Sequence, residues 1–244
     1  MHWGFDRQLT RLRLRTAALR FADHGWSVTP GAWLAGDRFD CMRADCATQA
    51  CHPARADWAE SATTNEAHIH TWWRDEPHSV LLATGESVDV IEVSALLGSR
   101  AVRGPAAGPG EASAVGMARG PVAVTPTGRW MFLVRPGATL RPSLERECDI
   151  LLHQAGSWVP LPPTRLRRGP VRWEVAPTAV EWMLPDPEAV QSALVTAMIS
   201  LDAAVLDAGG FAEPTPLHAA RVVARVRPMP VSRISTVEGL RQAA

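Results

Sequence analysis

The feature that most limits what this chain can fold into is a series of short, apolar, β-branched runs separated by turn residues. "SVLLAT" (79–84) and "VDVIEV" (88–93) are joined at Gly85, and "PVAVTP" (121–126), "RWMFLV" (129–134), "CDILLH" (148–153), "SWVPLP" (157–162) and "VRWEV" (171–175) follow. Runs of this length bounded by Gly and Pro are strands, and "WSVTPG" before them is another. Helical patterns flank the strands. Residues 6–24 carry Leu9, Leu12, Leu19 and Ala22 near helical spacing and stop at Gly25. "TTNEAHIHTWWRDEP" predicts a short helix capped by Thr64 or Asn65 and ended by Pro77. A helix begins around Ala95, and 186–208 is helical, with Pro187 near its start and Gly209 after its end.

Helix–strand units followed by an antiparallel half make the expected fold class α+β. The expected division is a domain over 1–184, made of an α/β unit (1–102), a connector rich in Gly, Ala and Pro (103–120) and a sheet unit (121–184). A helix over 185–208 and a loose tail over 209–244 follow, with a short helix at 217–226.

Composition removes several function classes. All 25 bases are Arg, so a catalytic Lys is excluded, and the 25 acids cancel any global positive field. Nucleic-acid binding would therefore need a local patch, and "TRLRLR" (10–15) and "RLRR" (165–168) are the candidates; solvated faces are the other reading. No run of about 18 apolar residues exists to span a membrane, and the N-terminus lacks a secretory apolar core, so no membrane partner and a cytoplasmic location are expected. "GPAAGPGE" lacks the Lys and flanking strand of a phosphate-binding loop.

Two stretches carry candidate ligands. Cys41, Cys46 and Cys51 are spaced by four residues each and followed by His52. Zinc favours such sulfur and nitrogen sets, while free thiols in a surface loop are the alternative. Cys148 is expected to be a buried small apolar residue. In "AHIH", His68 and His70 lie two apart and point to different helix faces; Trp72 and Trp73 are expected to pack. In "SVDVIEVSALLG" (87–98), strand alternation puts Glu92 with Val88, Val90 and Ser94, and Asp89 with Ile91 and Val93. Neither face is cleanly polar, so a metal ligand and a solvated side chain both remain open for Glu92.

The order of the pieces adds a further reading. "ALRFADHGWSVTPG", a Cys-rich loop ending "CHP", "IHTWWRDEPHSVLLATG", "VDVIEVS", "VAVTPTGRWMFLV", "CDILLHQAGSWVPLPPT" and "GPVRWEV" follow one another from about Thr16 to Val175. This succession resembles the bifunctional DNA primase/polymerase (prim-pol) domain of the archaeo-eukaryotic primase superfamily. The resemblance implies an N-terminal α/β unit packed on a sheet unit like an RNA-recognition motif, with metal-dependent, template-directed nucleotidyl transfer between them. Nucleotide and nucleic acid are the implied partners, and Mg²⁺ or Mn²⁺ the implied cofactor.

The family's first acidic pair falls on Glu92 and Ser94, its third acid on Asp149, and its triphosphate-contacting His on Trp130. Two carboxylates on one strand face can share oxygen-seeking ions that activate the attacking hydroxyl and stabilise pyrophosphate. Here Ser94 supplies no anion, and Trp130 has only an indole N–H to donate. Glu92 and Asp149 are thus the candidate catalytic residues. Arg129 is the candidate phosphate contact, although alternation turns it away from the Trp130 face. The expected function is a degenerate prim-pol module that binds nucleotide, nucleic acid or a protein partner without efficient catalysis. The alternative is an active primase/polymerase using Glu92 and Asp149. The family's Cys-rich loop also ends in His-Pro, which keeps Cys41, Cys46, Cys51 and His52 as the candidate zinc ligands.

Overall fold

The computed structural model describes residues 2–104 and 119–208; residues 105–118 of the expected connector, and 209–244 with the short helix expected at 217–226, lie outside them. Helix α1 (His2–Asp23) leads into β1 (Val28–Gly31) and a hairpin of β2 (Trp33–Ala35) and β3 (Arg38–Asp40). Helices α2 (Trp58–Ser61) and α3 (Glu66–Trp72) precede β4 (Ser79–Ala83), β5 (Asp89–Val93) and α4 (Ala95–Arg103). After the connector come β6 (Val122–Val124), β7 (Trp130–Val134), α5 (Pro142–Glu145), β8 (Leu151–His153) and β9 (Trp158–Pro160). A small hairpin, β10 (Arg165–Leu166) and β11 (Gly169–Pro170), then β12 (Arg172–Val175), a 3-10 turn (Pro177–Val180) and α6 (Pro187–Ala208) complete the described chain.

The fold is α+β, as expected, and every strand pairing is antiparallel. One sheet has the order β1-β4-β9, and the other has five strands in the order β12-β6-β7-β5-β8. Alternation sorts the five-stranded sheet into two dry faces. Val90, Ala123, Met131 and Leu133 face a core shared with α1, α3, β1 and β4. Ile91, Val93, Val124, Trp130 and Phe132 face α4 and α6. The sheet is therefore buried on both sides, which explains why its strands read as near-continuous apolar runs.

Capping and close packing fix the helices. The Asn65 side chain accepts from the His68 N–H at 3.2 Å and starts α3. Trp73, at the end of that helix, is fully buried and donates its indole N–H to the His78 carbonyl at 2.7 Å. Helix α4 crosses Trp130 at Gly98, where a Cβ would lie 2.5 Å from the indole ring. No side chain fits there, so glycine is what lets α4 reach the sheet.

The elements differ from expectation mainly at loops. The Cys-rich region contains the β2–β3 hairpin, and α2 and α5 had no clear periodic signal. Cys148, expected to be buried, is exposed. Strand β8 starts only at Leu151, so residues 148–150 form the turn before it. Among the described residues, no helix is long and apolar enough to cross a membrane.

Asp89 is a fully buried carboxylate in the wall behind β5. Its Oδ2 accepts from the Gly137 and Ala138 backbone N–H groups, both at 2.9 Å, and from the Gln154 side chain at 3.1 Å. This fixes the loop after β7 and the turn after β8 to β5, the strand between them. Asp89→Ala should strand these donors and cost about 3 kcal/mol of unfolding free energy, read by urea denaturation. A loss below about 1 kcal/mol would show that the contact is dispensable.

Candidate functional site

Glu92 lies on β5, paired with Met131 of β7 and Leu151 of the edge strand β8. Its Cα–Cβ direction follows Val90 toward the α1 side of the sheet, but it sits near the strand's end, where that core gives out, and its side chain keeps 16% exposure. Arg129 enters from the turn before β7. The Gly128 backbone, with φ +85°, makes that turn, and the Thr125 hydroxyl accepts from the Arg129 N–H at 3.0 Å.

Both carboxylate oxygens of Glu92 are engaged. Arg129 Nε donates to Oε1 at 2.6 Å, and His153 Nε2 lies 2.9 Å from Oε2. A carboxylate only accepts, so the proton of that contact belongs to Nε2; His153 Nδ1 lies 2.9 Å from the Ser157 hydroxyl. Arg129 also donates from its terminal nitrogen to the Asp149 backbone carbonyl at 2.6 Å. The guanidinium thus ties β5 to the turn before β8. Burial pushes the Glu92 carboxyl up, but hydrogen bonds and charge from His153 and Arg129 outweigh it and hold the group below its ordinary value.

The remaining candidates are placed apart. Ser94 is the residue before the first turn of α4 and makes no side-chain cap bond. Asp149 is exposed in the turn before β8, and only its backbone meets Arg129. Trp130 points to the opposite face of the sheet, into the α4–α6 core. The Trp130 indole is therefore a packing group, and Arg129 is on the Glu92 side. His153 was not among the expected residues. Its signal was in "DILLH": once Leu151 is set opposite Glu92, alternation puts His153 on the same side.

The second cluster sits after β3. Sγ of Cys41, Sγ of Cys46 and a ring nitrogen of His52 all lie within 4.8 Å of one another, with Cys46 Sγ 3.2 Å from His52 Nε2. His52 is buried, and its Nδ1 lies 2.7 Å from the Ala50 carbonyl. Nδ1 therefore carries the proton, which leaves the Nε2 lone pair facing the thiols. Burial pushes the Cys41 thiol up, yet hydrogen bonds from Arg43 and Cys46 bring it below its ordinary value. Cys51, the fourth expected ligand, is not brought into the group. Desolvation pushes its thiol up to about 12, against a hydrogen bond with Ser79.

The sequence profile described as "Bifunctional DNA primase/polymerase, N-terminal" matches residues 18–189, well over half of the chain. The chain belongs to the prim-pol family. That membership carries a DNA primase/polymerase-like classification and a family-level link to nucleotides, nucleic acid and metal-dependent chemistry. No curated protein matches the chain.

The ion pair at Glu92 sets a pH dependence in this prim-pol domain. A carboxyl whose folded pKa is depressed adds stability that is complete above its unfolded value, near 4.5, and is lost as pH falls through the folded value. Glu92→Gln should therefore cost about 2 kcal/mol at pH 7 by leaving Arg129 half-buried and unpaired. The gap from the parent should shrink as pH drops below about 4.5. Denaturant titrations at pH 7 and pH 3.5 measure both, and an equal gap at the two values would contradict the ion pair.

Proposed function

We propose that this prim-pol domain is a non-catalytic or weakly active module that binds nucleotide, nucleic acid or a protein partner. The observation that carries this reading is the double engagement of Glu92. Divalent ions of the kind the family uses take several oxygen ligands in tight octahedral geometry. Here Arg129 holds one Glu92 oxygen at 2.6 Å and His153 faces the other at 2.9 Å. Ser94, in the second acidic place, offers a neutral hydroxyl. A fixed guanidinium supplies positive charge where a metal would have supplied it, and it repels a second cation. This donor set does not fit a pair of divalent ions.

The active-enzyme reading keeps one observation on its side. Asp149 is exposed, and its carboxylate has no hydrogen-bond or ion-pair partner among the described residues. If Arg129 swung toward a triphosphate, Glu92 and Asp149 would be left to share an ion. Primer extension with Mn²⁺ separates the two readings. The module reading expects at most trace incorporation above that of the Glu92→Ala, Asp149→Ala double variant; efficient multi-nucleotide extension by the parent alone would establish the enzyme.

For the Cys-rich loop, we propose structural zinc on Cys41, Cys46 and His52. Tetrahedral zinc with bonds of about 2.0–2.3 Å puts its ligand atoms roughly 3.3–3.8 Å apart. The three groups already lie within 4.8 Å of one another, so small rotations would close the set. Cys51, held protonated against Ser79, is left out, and the fourth corner falls to water or another group. Metal analysis of the purified protein should find about one zinc per chain. Cys46→Ser should abolish it and Cys51→Ser should keep it; a parent with less than about a tenth of an equivalent would end the proposal.

A further inference from the structure

Away from both clusters, α1, the Pro162–Pro163 turn, β12 and the 3-10 turn enclose an open groove of about 600 Å³. Leu9, Leu12 and Ala17 form its helical wall, and Trp173, Pro163 and Pro177 stand opposite. Arg13 and Arg20 flank the floor, and no acidic residue lines it. These arginines lie two helical turns apart, about 10 Å along the axis, on the face that carries Leu9 and Ala17. Two other arginines of α1 are used internally: Arg7 pairs with Glu76, and Arg11 donates to the Arg74 carbonyl. Arg13 and Arg20 are exposed and take part in no ion pair or side-chain hydrogen bond among the described residues.

We infer that this groove docks an acidic, apolar peptide segment of a protein partner. Apolar side chains of the segment would fill the trough between α1 and the prolines, and carboxylates would meet Arg13 and Arg20. Two other occupants fit less well. Single-stranded nucleic acid would need free aromatic faces on which to stack. His24 already covers Trp182 at 3.6 Å between ring centroids, Phe21 stacks on Trp26 at 5.7 Å and packs against Trp173 in a T-shape at 6.1 Å, and the rest of the lining is non-aromatic. The chain's own last stretch, 209–244, carries five arginines against two glutamates, so its charge has the same sign as the groove's. A helix laid along Leu9 to Arg20 would span about 16 Å, room for roughly three turns with anchors at i, i+3/i+4 and i+7. The inference stands whether or not the domain incorporates nucleotides.

The test is selection of a displayed library of random 12-residue peptides on the immobilised full chain. One selected peptide is then measured by fluorescence anisotropy against the parent and the R13E/R20E variant. Both substitutions are at exposed positions, and circular dichroism verifies the variant's fold. The expected result is enrichment of peptides combining Leu, Ile or Phe with Asp or Glu. Affinity should fall at least tenfold in the variant and weaken with salt. The inference is overturned by no enrichment, by selected peptides without acidic residues, or by equal affinity for parent and variant. It is also overturned if R13E/R20E abolishes binding of a 15-residue oligothymidylate, or a self-association seen by sedimentation, while peptide binding is absent.

Discussion

The Glu92–Arg129 ion pair joins three pieces of chain that are far apart in sequence. Glu92 stands on β5, between β7 and the edge strand β8 of the five-stranded sheet, Arg129 comes from the turn before β7, and the same guanidinium reaches the Asp149 carbonyl before β8. Such a pair in a partly dry site costs desolvation, and it is worth keeping only when further hydrogen bonds complete it. Here they do: the Asp149 carbonyl takes one of the guanidinium's remaining donors, and His153 takes the second carboxylate oxygen. On the proposed reading, the same contacts that make a sound structural joint also occupy the carboxylate that a metal ion would need. Structure and proposed silence follow from one set of bonds.

Around that joint the sheet is packed from both sides. Trp130 and Gly98 bring α4 against one face, and α1 and the β1-β4-β9 sheet close the other. The buried Asp89 supports the wall behind β5 through two backbone N–H groups. Two roles therefore separate along a single strand. Asp89 is structural, Glu92 carries the ion pair, and the proposed reading rests on Glu92 together with Ser94 just past the strand's end. The Cys-rich loop and the α1 groove lie outside this arrangement and can serve binding independently of it.

Much of this was legible in the residues, and the gaps have physical causes. The β-branched runs located the strands to within one or two residues at most ends, because burial on both faces demands such runs. The order of the motifs identified the family, and alternation put Arg129 and Trp130 on opposite faces. Where a face lacks contrast, alternation alone does not say which side is the site, so the packing role of Trp130 became visible only when α4 lay across it. His153 was hidden because one sequence does not state the pairing register: only when Leu151 is set opposite Glu92 does His153 come beside the carboxylate. Spacing placed Cys51 with Cys41, Cys46 and His52, yet adjacent residues in an extended segment diverge, and Cys51 turned to Ser79 instead. Tertiary pairing decides such cases, and a single sequence does not contain it.

The central claim is that an internal cation has taken over the Glu92 carboxylate. Calorimetric titration with Mn²⁺ of the parent, Arg129→Ala and Glu92→Gln tests it most directly. The account predicts no saturable site in the parent, and a site that appears in Arg129→Ala once the carboxylate is released. A saturable Mn²⁺ site in the parent that disappears in Glu92→Gln would contradict it.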